Sequence, residues 1–181
     1  MWKSPLKNSD TQVEKSLLVN NSTLQHCLEA AYRYLSYRPR SEAEVRQRLR
    51  QRGFDTEVVE KTIAKLKEQN LIDDLAFAQF WKENRLSFKP KSKSLINKEL
   101  KDKKVAAEII ERVTEDIDDI DNAYKLGCRR MHILAHLDYP DFYRRLSNYL
   151  GYRGFSYQVI RDTAALLWRE KENKRLNCRY S

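Results

Sequence analysis

The chain has 181 residues, 35 Lys and Arg against 26 Asp and Glu for a formal charge of +9, and only 4 Gly and 4 Pro. So few glycines exclude long Gly-rich phosphate loops, collagen-like repeats and all-β folds with many tight turns, and they favour long helices. Both charge signs are abundant throughout, so an anionic partner would meet a basic stripe rather than a wholly basic body. Cys27, Cys128 and Cys178 are widely spaced with no CxxC, which argues against a disulfide framework and for a reducing compartment. No window approaches the ~18 apolar residues of a membrane span, and the first residues lack a signal-like apolar stretch. The expectation is a soluble, cytoplasmic chain.

In chain order, residues 1–21 read as a flexible N-terminal arm. Residues 22–72 read as three helices. The first carries Leu28, Ala31 and Leu35 at helical spacing, and Pro39 interrupts it. Ser41 and Glu44 form S-x-x-E, a capping box that opens a second helix with Val45 and Leu49 inward. Gly53 closes it, and Asp55 is expected to cap a third helix bearing Val58, Val59, Ile63 and Leu66.

Residues 73–117 repeat the plan. Asp73 and Asp74 suit a helix N-terminus, and the first helix carries Leu75, Phe77, Ala78, Phe80 and Trp81. After Pro90, Ser92 or Ser94 can cap a helix with Leu95, Ile96 and Leu100, and a third follows with Val105, Ile109, Ile110 and Val113. Residues 118–172 form the last copy. It starts near Asp118–Asp121, with helices carrying Ala123, Tyr124 and Leu126, then Phe142, Leu146 and Leu150, then Phe155, Val159, Ile160, Leu166 and Leu167. Residues 173–181 read as a frayed basic tail.

The three copies keep one register. Leu49, Leu100 and Leu150 each follow an apolar residue four places earlier (Val45, Ile96, Leu146) and precede another five places later (Phe54, Val105, Phe155). Apolar pairs follow at Val58–Val59, Ile109–Ile110 and Val159–Ile160. The fold class expected is all-α, in tandem three-helix, helix-turn-helix-like repeats.

The corner residues resemble those of the RecX family. They are Tyr34-Leu35, Arg38-Pro39-Arg40-Ser41-Glu42, Glu44-Val45, Leu49, Gly53-Phe54 and Leu71-Ile72-Asp73-Asp74 with Phe77-Ala78. In the third copy they are Arg144-Arg145-Leu146, Tyr149-Leu150, Arg153-Gly154-Phe155 and Val159-Ile160. The resemblance spans roughly residues 28–168. The middle copy departs from it. Phe88-Lys89-Pro90-Lys91 and Lys103-Lys104-Val105 stand where the family usually has a Gly and a K-G-I turn, which puts a left-handed turn there in doubt.

The resemblance implies an elongated, curved molecule of tandem repeats that binds the filament of the RecA recombinase on DNA. It implies a regulator, not an enzyme, that limits filament growth, ATPase and strand exchange in recombination, repair and the SOS response. The implied partners are the RecA filament and, more weakly, single- or double-stranded DNA, with the protein a monomer and no cofactor. A stand-alone helix-turn-helix-like DNA-binding module is the alternative.

Arg46 and Arg50 on the first copy's second helix, Lys91, Lys93, Lys98 and Lys101 in the second copy, and Arg144 and Arg145 in the third occupy related places. With Arg38, Arg40 and Arg153 they are the candidate partner-binding residues. They can equally be read as solvated faces laced with pairs such as Glu42–Arg46 and Glu44–Arg48. Arg38 and Arg40 can also bond carbonyls ending the first helix. The numerous aromatics are expected to pack helix on helix rather than to stack on bases.

Cys128, His132 and His136 share a helix face. Only three ligands of a zinc set are visible, with Asp138 a weak fourth, and no metal is assigned. The acidic run Asp116, Asp118, Asp119 and Asp121 fails the calcium-loop pattern, with Asp121 and Gly127 at its sixth and twelfth places, and reads as a helix start. No nucleophile–base set, Walker motif or dinucleotide fingerprint occurs, and no catalytic residue is assigned.

Overall fold

The computed structural model describes residues 9–88 and 90–177, with side chains for 22–87 and 90–173. Among them are nine helices and no strand. The chain divides into two compact units, residues 1–77 and 78–181.

In the first unit, α1 (Ser9–Leu35) packs on α2 (Glu42–Gln51) and α3 (Thr56–Glu68). Helix α1 begins at Ser9, so the arm expected over residues 1–21 is helical from that point; residues 1–8 lie outside the described residues. No Gly or Pro stands between Ser9 and Leu35, and extending an existing helix adds a hydrogen bond for each residue fixed. The core gathers Cys27, Leu28, Ala31, Val45, Leu49, Val59, Ile63, Leu66 and Ile72.

Helix α2 opens on the expected capping box. Ser41 Oγ accepts from the Glu44 N–H at 3.2 Å, and the Ser41 N–H donates to Glu44 Oε2 at 3.2 Å. Asp55 does stand at the N-cap of α3, but its side chain makes no capping bond. Beyond the end of α3, Asn70 takes a left-handed φ of 54°, and asparagine is one of the few non-glycine residues suited to it.

The second unit begins inside α4 (Asp74–Phe88) and contains α5 (Lys93–Asp102), α6 (Ala107–Thr114), α7 (Asp119–Leu134), α8 (Tyr139–Gly151) and α9 (Tyr157–Asn177). The middle repeat buries Ile96, Leu100, Val105, Ile110 and Val113. The last buries Ala123, Leu126, Leu134, Phe142, Leu146, Leu150, Phe155, Ile160, Ala164 and Leu167. Leu166, expected inward, lies on the exposed side of α9, beside the buried Leu167. Helix α9 continues to Asn177, so the tail expected from residue 173 is helical through 177; residues 178–181 lie outside the described residues.

Gly127 lies where α7 meets α9. A Cβ there would strike Leu167 Cδ1, so glycine permits the close approach of two helices.

The three corners share one hydrogen-bond pattern. Gly53, Lys104 and Gly154 have φ of 86°, 60° and 84°. Their N–H groups each donate at 2.9 Å to the carbonyl three residues back, those of Arg50, Lys101 and Gly151. The next N–H, of Phe54, Val105 and Phe155, reaches Leu49, Leu100 and Leu150. The left-handed turn doubted for the middle copy is therefore kept, with Lys104 adopting a conformation that costs a non-glycine residue about 1–2 kcal/mol.

Candidate partner-binding surface

The repeats are joined by paired aspartates. Asp73 caps its own helix, accepting from the N–H groups of Leu75 and Ala76 at 2.7 and 3.1 Å. Asp74 reaches back to the previous repeat and accepts from the Glu42 N–H at 2.9 Å, at the start of α2. Asp118 and Asp119 repeat the device. Asp118 caps α7 through Ile120 and Asp121, and Asp119 accepts from the Lys93 N–H at 2.7 Å, at the start of α5. Burial pushes both Asp74 and Asp119 above the usual carboxylate range, against the pull of their backbone donors. Such free N–H groups at a helix start need acceptors, and here the next repeat supplies them. Asp116 pairs with Lys82 at 3.0 Å, and Asp121 with Lys125 at 2.5 Å.

Each repeat also grips one aromatic ring between two cations. In the first, Arg40 lies 4.1 Å and Arg48 5.9 Å from the Tyr34 ring centre. In the second, Arg85 and Lys103 lie 4.2 and 4.3 Å from Trp81. In the third, Arg153 and Arg130 lie 3.8 and 4.3 Å from Tyr149. Desolvated cation–ring contacts of this kind contribute up to about 2 kcal/mol each. Many of the aromatic residues thus pack inside the protein, though Tyr37, Tyr152 and Tyr157 stand out in solvent.

Many of the expected basic residues are occupied. Arg38 donates to Glu44 Oε1 at 2.9 Å and to the Pro39 carbonyl at 2.9 Å, turning onto the start of α2 rather than onto the end of α1. That takes Glu44 for Arg38; the pairing with Arg48 is not the one formed. Arg46 sits between Glu60 at 2.9 Å and Glu42 at 2.7 Å, and Arg50 reaches Glu60 at 3.3 Å. Lys67 adds a 2.5 Å contact to Glu42.

In the middle repeat Glu99 is the hub. It accepts from Trp81 Nε1 at 2.8 Å and Arg85 Nε at 2.7 Å, and it pairs with Lys91. Burial raises its carboxyl, but those three donors outweigh burial and hold it below the usual range. Lys93 lines a shallow cavity with Glu108, Glu111, Arg112 and Glu115. Arg144 pairs with Asp141 at 2.7 Å. Arg153 also bonds the Tyr149 carbonyl at 3.0 Å.

Lys98, Lys101 and Arg145 are exposed and have no ion pair among the described residues. Arg130, which the sequence did not single out, shares a cavity with Arg145, Ile133, Leu134 and Tyr149. Its helical neighbourhood gave no signal, because Arg130 precedes its ring by 19 positions on another helix.

Cys128 and His132 line a cleft of about 410 Å³ between α7 and α9 with Met131, Ala135, Leu167, Glu170 and Lys171. Among the described residues no three His, Cys, Asp or Glu side chains are grouped to hold a metal. Asp138, the weak fourth zinc candidate, instead caps α8 through the Asp141 N–H at 3.1 Å.

Together these features define an all-helical protein of tandem three-helix repeats linked by aspartate caps. Family models of the first, second and third three-helix domains of RecX match residues 27–66, 73–113 and 116–163. The chain belongs to the RecX family. It is 31% identical over 145 residues to the regulatory protein RecX of Prosthecochloris aestuarii, covering 80% of this chain and 95% of that one. The regulatory protein RecX of Chlorobaculum tepidum is also 31% identical, with 80% and 89% covered. The crystal structure of RecX from Lactobacillus salivarius superposes with a TM-score of 0.70 at 23% identity, covering 81% of this chain and 97% of that one. No helix among the described residues is long and apolar enough to cross a membrane.

Proposed function

We propose that this protein is a non-enzymatic, cytoplasmic regulator that binds the RecA–DNA filament and limits its growth, ATPase and strand exchange. The observation that carries this reading is the ordered match of all three RecX domains along one chain. The acting surface is drawn from the basic residues set out above, with two roles. Lys98, Lys101 and Arg145 are free to meet an anionic partner. Arg38, Arg46, Arg50, Lys91 and Arg144 carry internal carboxylates that a partner would have to displace or share. Arg40 and Arg153 hold rings in place, and Lys93 lies among the acids of α6. Complementary charge of this kind speeds encounter and fixes register more than it adds affinity.

The test is RecA's DNA-dependent ATPase with and without the purified chain. The rate is expected to fall at stoichiometric protein. No change at stoichiometric or higher protein in low salt contradicts the proposal.

A further inference from the structure

The three cation–ring clusters differ in one respect. The first lines its cavity with Glu44, beside Tyr34 and Arg48. The second has Glu99, bonded to the ring nitrogen and to Arg85. No carboxylate lines the third. Its cavity, about 220 Å³, is bounded by Arg130, Arg145, Tyr149, Ile133 and Leu134. In the repeat register, Arg145 stands five places before Leu150, where Glu44 stands five places before Leu49. The third repeat therefore places a cation at the position where the first places its anion. Asp141 feels the charge of Arg145, but its carboxylate is bonded to Arg144. Arg130 and Arg145 keep two guanidinium groups without an ion pair among the described residues.

We propose that this pocket receives the side-chain carboxylate of an Asp or Glu on a protein partner, as Glu99 meets Arg85 and the Trp81 ring nitrogen in the second repeat. The proposal rests on the functional reading above and names one contact of that surface. A carboxylate is favoured over a nucleic-acid phosphate for two reasons. The group that bonds the second cluster is a carboxylate, and one lines the first; the walls formed by Ile133, Leu134 and the Tyr149 ring suit the methylenes of a short acidic side chain. Guanidinium groups pair with carboxylates through two parallel, charge-assisted hydrogen bonds, so geometry as well as charge selects the guest.

The experiment measures binding of the full-length chain to RecA filaments on single-stranded DNA and, separately, to the same DNA bare. Arg145→Glu supplies the pocket with its own anion, Arg130→Ala removes one wall, and Arg145→Lys keeps the charge without the fork. Filament affinity is expected to fall about tenfold or more for the first two variants and less for the third. Affinity for bare DNA is expected to stay within about twofold. Unchanged helicity by circular dichroism guards against misfolding, and Arg145 is exposed, so its variants keep the core. A parallel loss on bare DNA overturns the proposal in favour of a phosphate pocket. Filament binding equal to wild type overturns it outright. A wild-type chain that does not bind the filament at all overturns the functional reading as well, which separates the two failures.

Discussion

Helices α2 and α5 begin at the same place in consecutive repeats, yet the N–H groups of their capping serines are satisfied differently. In the first repeat the Ser41 N–H bonds Glu44 of its own helix. In the middle repeat the equivalent residue is Leu95, which has no acceptor to offer. The Ser92 N–H donates instead to the Arg153 carbonyl at 3.0 Å, at the corner of the third repeat. Both serines cap their helix locally through Oγ, but one serine N–H is answered locally and the other by a tertiary contact. Gly53 and Gly154 share a left-handed φ, but their surroundings follow that split. A Cβ on Gly53 meets nothing within 4 Å, whereas on Gly154 it would lie 2.7 Å from Ser92 Oγ and 2.8 Å from Leu95 Cβ. The lesson is that one sequence motif, R-G-F, serves as a free turn in one repeat and as a docking point in another.

Gly154→Ala breaks this comparison most severely. It combines left-handed strain with a clash at the start of α5 and is expected to destabilise the protein by about 2–4 kcal/mol in denaturant melts. Gly53→Ala meets only the strain and is expected to cost about 1–2 kcal/mol. Equal costs would show that the tertiary cap contributes nothing.

The junction aspartates sharpen the same point. Asp119→Ala leaves the Lys93 N–H without its acceptor and is expected to cost about 1 kcal/mol, whereas Asp119→Asn keeps an acceptor oxygen and is expected to stay within about 0.5 kcal/mol at neutral pH. Burial raises the Asp119 carboxyl in the folded protein, so the fold holds that proton more tightly than the unfolded chain does. Its contribution to stability is fullest below the unfolded carboxylate range and declines as pH rises through the raised value. Asp119→Asn should therefore compare better with wild type at about pH 7 than at about pH 3. Glu99, held low by its donors, has the opposite sign: its contribution is present at neutral pH and is lost on acidification.

A stabilising effect is expected at the middle corner. Lys104→Gly relieves a left-handed non-glycine residue and should raise stability by about 1 kcal/mol, offset in part by the greater freedom of glycine in the unfolded chain. A loss on that substitution would mean the Lys104 side chain holds the corner by some other contact.

The repeat register and helix order were legible because their signals are periodic and local: apolar positions flanking Leu49, Leu100 and Leu150, the Ser41–Glu44 box, and the corner glycines. Gly127 was not interpretable, since its reason is Leu167 on another helix. At the described parts of the chain ends, helix runs from Ser9 and on to Asn177, where an arm and a frayed tail were expected. Helix propagation needs only the absence of breakers once a packed segment starts it. The basic stripe was the least legible feature. Spacing places Arg46 and Arg50 on one face, yet their charges are answered by Glu60, ten and fourteen positions away on α3. The junction signal was present in the paired aspartates at 73–74 and 118–119, but only the fold shows that one of each pair serves the preceding repeat.

The most direct test of the account is the growth of RecA filaments on single-stranded DNA, imaged with and without this chain. Filament extension is expected to slow or stop at stoichiometric protein while the chain stays on the filament. Extension at the unperturbed rate, with the chain found on bare DNA instead, would contradict it.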